Sequence, residues 1–275
     1  MVTEPAGSGR GEAAGAGGLC LTVLGSASPY PRPGNPCSGY LVTAGDTRLW
    51  LDAGSGTLAA LQRYCGLAEL TGIWLSHLHA DHAADLLTAF YALAFADVRR
   101  DAPVPLYAPP GIGERLRHFL SNSGIARLEA AFELHELYDG HRARLGALTL
   151  DSGAVRHGMD AYAVRVSDGR AALTYSGDTG PCDELVDLAR GTDLLLCEAD
   201  SDGPPEGEPA VHLTPEQAGA TAARAGARRL VITHVGPFQT PEDACRRASA
   251  VFRGPVEYAA PGRRFTVAGD AVARS

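Results

Sequence analysis

The sequence predicts an α/β fold that carries a metal site at one edge of a sheet. Short apolar runs of strand length alternate with runs whose apolar residues recur every three or four positions, a mixture typical of neither all-α nor all-β proteins. Several histidines and aspartates directly follow strand-like runs and precede Gly or Pro, which is where a strand delivers side chains to a sheet edge.

The predicted elements follow one another without a linker-like stretch. Strand-like runs lie near residues 19–24, 39–42, 48–52, 72–75, 145–150 and 230–234. Helix-like runs lie near residues 58–65, 83–90, 114–120 and 215–225. Because 275 residues can bury a substantial core, we expect one domain over 19–268, preceded by a disordered Gly- and Ala-rich tail at 1–18 and followed by a short tail at 269–275.

Composition limits both the cellular setting and the chemistry. No segment approaches the ~20 apolar residues of a membrane span, and the N-terminus lacks the apolar core of a signal peptide, so we expect a cytoplasmic protein. The six cysteines are scattered without zinc-ribbon or redox spacing, which favours free thiols over disulfides. All 24 basic residues are Arg, which excludes any mechanism that depends on lysine.

Four potential metal ligands stand close together at the end of the strand-like run 72–75: His77, His79, Asp81 and His82. The two-residue alternation of a strand lets His77 and His79 point the same way, while Asp81 and His82 come round from the helix start onto a second centre. Imidazole and carboxylate suit zinc, with manganese or iron as alternatives. The competing interpretation, that Asp81 merely caps the helix, explains one residue of the four.

A two-metal centre needs more ligands than one turn supplies, so we expect others at later strand ends. His157 follows the strand-like run 146–150 and its continuation, Asp178 lies in the segment 175–180, and His234 ends the run 230–234. These positions and the His-x-His-x-Asp-His motif resemble the metallo-β-lactamase superfamily, in its ribonuclease Z-like branch, over about residues 19–268.

The resemblance implies an αββα sandwich, two mixed sheets flanked by helices, with two divalent ions at one sheet edge. It assigns His77, His79 and His157 to one ion and Asp81, His82 and His234 to the other, with Asp178 bridging both. The ions would activate a bridging water as the nucleophile, and zinc is the expected metal.

A histidine outside the ligand set stands in a family-like segment, 211–219. By resemblance, His212 donates a proton to the leaving group, Glu198 orients it, and Asp52 supports a ligand. Thr214 is the expected N-cap of the following helix, with Gln217 completing a capping box. We take His212, Asp81 and Glu198 as the catalytic residues; the alternative is a loop histidine that packs near the cap.

Two features that the sequence lacks, a long tRNA-binding arm and a concentration of basic residues, predict a small substrate. Ribonuclease Z carries a long tRNA-clasping arm at the place where this chain has a step of only 21 residues from His157 to Asp178. The net charge is −8 and the arginines are dispersed, which disfavours a long nucleic acid. Segments 176–180, 182–191, 197–199 and 254–256 instead resemble an armless bacterial group related to atypical class II cyclic-nucleotide phosphodiesterases.

The leading hypothesis is therefore a dinuclear metal-dependent phosphodiesterase that acts on a small phosphodiester such as a cyclic nucleotide, with a homodimer implied by the resemblance. The alternative is a lactone, thioester or other acyl hydrolase of a biosynthetic pathway. Less favoured are tRNA 3′-end processing, a non-catalytic metal-binding module and an oxygen-using iron enzyme. Loops 26–33 and 158–162 depart from the group and are candidate pocket-lining loops.

Overall fold

The computed structural model describes residues 17–120, 122–203 and 209–269. The predicted tails at 1–18 and 269–275 lie outside these ranges, except for Gly17, Gly18 and Gly269. Within the described ranges, no helix is long and apolar enough to cross a membrane.

The strands alternate with helices much as the sequence predicts. The strands are β1 (Cys20–Gly25), β2 (Gly39–Ala44), β3 (Thr47–Leu51), β4 (Gly72–Trp74), β5 (Val104–Ala108), β6 (Phe132–Glu136), β7 (Arg142–Leu145), β8 (Leu148–Ala154), β9 (Tyr162–Ser167), β10 (Ala172–Tyr175), β11 (Leu194–Ala199), β12 (Leu230–Val235), β13 (Val256–Tyr258) and β14 (Arg264–Thr266). The helices are α1 (Thr57–Leu61), α2 (Ala80–Phe95), α3 (Ile112–Phe119), α4 (Asn122–Ile125), α5 (Leu128–Ala131), α6 (Asp183–Leu188), α7 (Pro215–Ala225) and α8 (Pro241–Ser249).

The strands form two seven-stranded mixed sheets. The first has the order β14-β1-β2-β3-β4-β5-β6 and the second the order β13-β12-β11-β10-β9-β8-β7. Strands β3 to β6 are parallel, as are β10 to β13, whereas the other pairs are antiparallel. Because parallel strands end at the same edge, the segments after β3, β4, β10, β11 and β12 are brought together.

The core lies between the two sheets. Alternate residues of β1 and β4, such as Leu21 and Trp74, pack against Val164 and Tyr175 of the second sheet. Helices α1 to α3 cover the outer face of the first sheet, and α6 to α8 cover that of the second. Burying one such side chain contributes about 1.5–3 kcal/mol. The predicted αββα sandwich is confirmed.

One predicted strand is wrong in detail. The run 145–150 is not continuous, because Leu145 ends β7 and pairs directly with Leu148 at the start of β8. Gly146, with φ of 56°, makes the intervening two-residue turn, since glycine adopts this left-handed conformation without steric cost. The 21-residue step that follows His157 holds the β9–β10 hairpin, as expected. All six cysteines are free.

Candidate metal centre

The segment 76–82 makes the turn from β4 to α2 at the seam between the sheets. Helix α2 begins at Ala80, so Asp81 and His82 lie in its first turn, and His79 rather than Asp81 is the N-cap. The interpretation of Asp81 as a simple cap is therefore wrong. The second sheet contributes His157 from the β8–β9 loop, Asp178 after β10 and His234 near the end of β12.

One group of possible ligands faces solvent. His77, His79, His157 and Asp178 offer ligand atoms that all lie within 4.8 Å of one another. The Nδ1 atom of His79 lies 3.0 Å from Nε2 of His77 and 3.2 Å from Nε2 of His157. His77 is buried, His157 is half-buried and His79 is exposed, so this group opens to the surface.

A second group is buried throughout. The Nε2 atom of His234 lies 3.2 Å from Nε2 of His82 and 3.2 Å from Oδ2 of Asp81. Asp178 joins this group to the first, because its Oδ1 lies 3.2 Å from Nε2 of His82 while its Oδ2 lies 3.5 Å from Nε2 of His77. The structure thus brings all seven predicted ligands together, in the two sets that the resemblance implies.

The spacing and the unsatisfied atoms of these groups fit divalent metal ions. Tetrahedral zinc with bonds of ~2.0–2.1 Å holds its ligand atoms roughly 3.4 Å apart, close to the separations above. Oδ1 of Asp178 is buried and makes no hydrogen bond, although a buried carboxylate oxygen normally has a partner. A cation between the two groups would satisfy it.

Electrostatics prepare the open group, together with Asp178, for a cation. Burial lowers the pKa of His77, His79 and His157, which keeps their imidazoles neutral with a free lone pair. Burial alone would raise the pKa of Asp178, but the positive charges of His234 and His82 outweigh it and hold the pKa well below its usual value. Asp178 therefore remains an anion.

The buried group is supported by Asp52, which follows β3. Asp52 accepts hydrogen bonds from the backbone N–H and Oγ of Ser76, at 2.7 Å each, and from the Tyr175 hydroxyl at 2.7 Å. Its Oδ2 also lies 2.7 Å from Nδ1 of His82, which directs Nε2 of that ring toward the ligand group. Asp52 thus occupies the supporting place that the resemblance implies.

Local backbone conformations at the site are unusual. Asp52 and His234 are the two non-glycine residues of the described chain with positive φ, 54° and 46°. Such conformations cost about 1–3 kcal/mol each and cluster where the surrounding structure fixes a functional side chain. Gly177, with φ of 57°, permits the tight turn before Asp178, since a Cβ there would lie 2.8 Å from Ser76.

His212 lies beside both groups. Its Nδ1 is 2.9 Å from Oε1 of Glu198 and 4.0 Å from Oδ2 of Asp178. Thr214 is the N-cap of α7, and Gln217 completes the predicted capping box. His212 therefore lies two residues before the N-cap of a helix whose N-terminus is stabilised by side-chain hydrogen bonds. Burial would lower the pKa of His212, but the hydrogen bond and charge of Glu198 outweigh it and raise the pKa to about 9.

The sequence reasoning missed Asp200. Its Oδ1 accepts a hydrogen bond from Ser28 Oγ at 2.5 Å and lies 3.8 Å from Nδ1 of His234. The signal was available, because Asp200 stands two residues after Glu198 at the end of β11. Ser76 and Tyr175 donate hydrogen bonds to Asp52, but neither is a usual metal ligand, so residue type alone gives no signal for them.

Comparison with known proteins decides the family. A family model described as a β-lactamase superfamily domain matches residues 47–235, more than half of the chain. The chain belongs to the metallo-β-lactamase superfamily. The uncharacterized protein Rv1339 of Mycobacterium tuberculosis is 40% identical over 251 residues, covering 90% of this chain and 92% of that protein.

Two further superfamily members extend the comparison. A ribonuclease Z of Myxococcus xanthus is 31% identical over 305 aligned positions, covering 90% of this chain and 97% of that protein. The crystal structure of YhfI from Bacillus subtilis, a metallo-β-lactamase fold protein, matches with a TM-score of 0.80 at 26% identity, covering 90% of this chain and 99% of that one. Superfamily membership and the His/Asp cluster support a metal-dependent hydrolase.

Proposed function

We propose that the protein is a dinuclear metal-dependent phosphodiesterase whose substrate is a small phosphodiester such as a cyclic nucleotide. The observation that carries the proposal is the placement of His212, which Glu198 holds at 2.9 Å beside Asp178. A departing ester oxygen needs a proton, and a histidine with a raised pKa is protonated at neutral pH. Acyl transfer depends less on such a donor.

The proposed roles divide among the residues of the centre. His77, His79 and His157 would hold one ion, Asp81, His82 and His234 the other, and Asp178 would bridge them. When bound, the two ions supply Lewis acidity and an acidified water. Glu198 accepts from Nδ1 of His212, which leaves the Nε2–H for the departing oxygen, and Asp81 combines its ligand role with contact to the reacting atoms.

A small substrate is favoured over a long nucleic acid. The 20 residues between His157 and Asp178 are largely taken up by the β9–β10 hairpin, which leaves no segment for an RNA-binding arm. The ribonuclease Z relative is named for cleavage of RNA, which is a phosphodiester, so a related protein has the proposed type of chemistry.

Zinc is the proposed metal, because imidazole and carboxylate ligands suit it. The cytoplasmic location and the homodimer stay predictions.

The test compares wild-type protein with His212→Ala after metal loading, using cyclic nucleotides, bis(p-nitrophenyl) phosphate, lactones and thioesters. We expect His212→Ala to lower turnover of cyclic nucleotides by ~10²–10⁴-fold, because their leaving oxygen is strongly basic, and to affect bis(p-nitrophenyl) phosphate less. His118→Ala, an exposed histidine on α3, is the matched control. Hydrolysis of lactones or thioesters without any phosphodiester would favour the acyl hydrolase instead.

A further inference from the structure

A cavity of about 350 Å³ is lined in part by Val235, the residue that follows the predicted ligand His234. Its walls come from the β1–β2 loop, from the segment after β12 and from the end of β13. The polar residues of its lining are Ser26, Ser28, Arg32, Asn35, Gln239 and Tyr258. Volumes of this order are common for small-molecule sites.

The cavity is physically connected to the metal-binding residues. Ala27 pairs with Val235, the residue after His234, in an isolated β-bridge. Ser28 donates to Asp200, whose carboxylate lies 3.8 Å from the His234 ring. These contacts link the lining of the cavity to His234, which makes the cavity a candidate site for one ester arm of a phosphodiester bound at the metal centre.

The lining offers hydrogen-bonding groups and a single charge. Ser26 Oγ and the Tyr258 hydroxyl lie 2.9 Å apart, and Asn35 Nδ2 donates to Tyr258 at 3.4 Å. Arg32 is the one charged residue of the lining. Because the lining contains no acidic residue, the cavity should bind a cationic ligand poorly and should favour a polar ligand with many hydrogen-bond acceptors.

Several contacts restrain the loop that carries Arg32. The backbone N–H of Arg32 donates to the Asn35 carbonyl and the N–H of Asn35 donates back, each at 2.8 Å. The guanidinium of Arg32 lies over the Tyr30 ring, 3.9 Å from its centroid. Prolines at 31, 33 and 36 restrict the backbone further. Groups ordered before binding lose little entropy when a ligand arrives.

An exposed aromatic residue stands between two lining residues in the sequence. Phe238 lies between Pro237 and Gln239, which both line the cavity, and 87% of its surface is exposed. The ring of Phe238 therefore contributes little to the folded core. An exposed ring flanked by two lining residues of a polar cavity is suited to stack on a heterocyclic base.

We propose that this cavity binds the nucleoside part of a nucleotide phosphodiester. The base stacks on Phe238, and its edge and the sugar hydroxyls bond with Asn35, Tyr258 and Arg32. This inference rests on the proposed function, because it names the substrate class of the same metal centre. It also gives the β1–β2 loop a role in choosing the substrate.

Steady-state kinetics of the metal-loaded variants Phe238→Ala, Arg32→Ala and Tyr258→Phe test the proposal. We expect Phe238→Ala to raise the KM for 3′,5′-cyclic AMP about 10-fold or more, which is the usual loss of one base–aromatic stack. Hydrolysis of bis(p-nitrophenyl) phosphate, which has no nucleoside, should stay within twofold of wild type, which is roughly the scatter expected of surface changes. Phe119→Ala, an exposed ring on α3, is the matched control.

Two results would overturn the proposal: unchanged KM values for cyclic AMP in all three variants, or equal losses on both substrates. Calorimetric titration with adenosine 5′-monophosphate separates this question from the proposed function. If the wild-type protein hydrolyses no phosphodiester, the proposed function fails. In that case, nucleoside binding at the cavity is supported if the wild-type protein binds the monophosphate and Phe238→Ala binds it more weakly. It is refuted if the wild-type protein does not bind the monophosphate or if Phe238→Ala binds it equally well.

Discussion

The two ligand groups of the metal centre share Asp178 but differ in how deeply the fold encloses them. His82 and His234 are at most 2% exposed and Asp81 is 9% exposed, and Asp52 supports His82 from behind. In the other group His79 is exposed and His157 is half-buried, and the ring of His157 is oriented by the backbone carbonyl of Val211 at 2.9 Å.

This difference separates two tasks. The buried group is part of the seam between the sheets, so its geometry is fixed by the same packing that holds the fold. The open group faces the surface from which a substrate arrives, and solvent reaches its ligands. We therefore expect the buried position to hold its ion more firmly and the open position to exchange its ion faster.

The largest effect is expected where the two groups join. Asp178→Ala removes the carboxylate that both share, so metal content should fall below two ions per chain and turnover should drop by more than ~10²-fold. Elemental analysis and steady-state kinetics measure these losses. Asp187→Ala, an exposed acid on α6, is the control. Retention of two ions by Asp178→Ala would show that the groups are independent.

The free energy of unfolding of the metal-free protein should also distinguish the buried group from the open group. His82→Ala leaves the buried carboxylate of Asp52 without its imidazole partner, so the free energy of unfolding should fall by about 3 kcal/mol. His79→Ala removes an exposed ring and should cost under about 0.5 kcal/mol. Urea unfolding of chelator-treated protein gives both values. Equal losses would mean that burial does not distinguish the two groups.

The smallest effect is expected for Asp52, which orients the ligand His82 but is not itself a predicted ligand. Asp52→Asn keeps the shape of the side chain but removes its charge, so affinity at the buried position should fall by ~10–100-fold while the open position changes less. Competition with a chromophoric chelator resolves the two affinities. Tyr175→Phe, which removes one hydrogen bond to Asp52, should give a loss in the same direction but smaller. A matching loss at both positions would contradict the assignment of Asp52.

Much of the centre could be predicted from the sequence, because ligand chemistry is local. The motif at 77–82 and the strand-end positions of His157, Asp178 and His234 are visible as residue types next to apolar runs. The capping box at Thr214 is equally local. Fold class followed from the same alternation of runs, and the family model and the structure agree with it.

What escaped prediction depends on contacts between distant segments. The position of Asp200 after Glu198 is visible in the sequence, but its hydrogen bond from Ser28, 172 residues earlier in the chain, is not. The hairpin turn at Gly146 was hidden inside an apolar run whose composition suits a continuous strand. Loop 26–33 is expected from the sequence to line a pocket. Which of its residues face the pocket depends on how the strands pair, and the sequence alone does not show this.

The centre also joins the two halves of the chain. His77 to His82 come from the first sheet, whereas His157, Asp178 and His234 come from the second, so ions held between them cross-link the sandwich at one edge. An ion that binds only the folded chain stabilises it in proportion to the logarithm of the free metal concentration. The amount of folded protein in a cell would therefore rise and fall with metal supply, and scarcity would remove the protein as well as its activity.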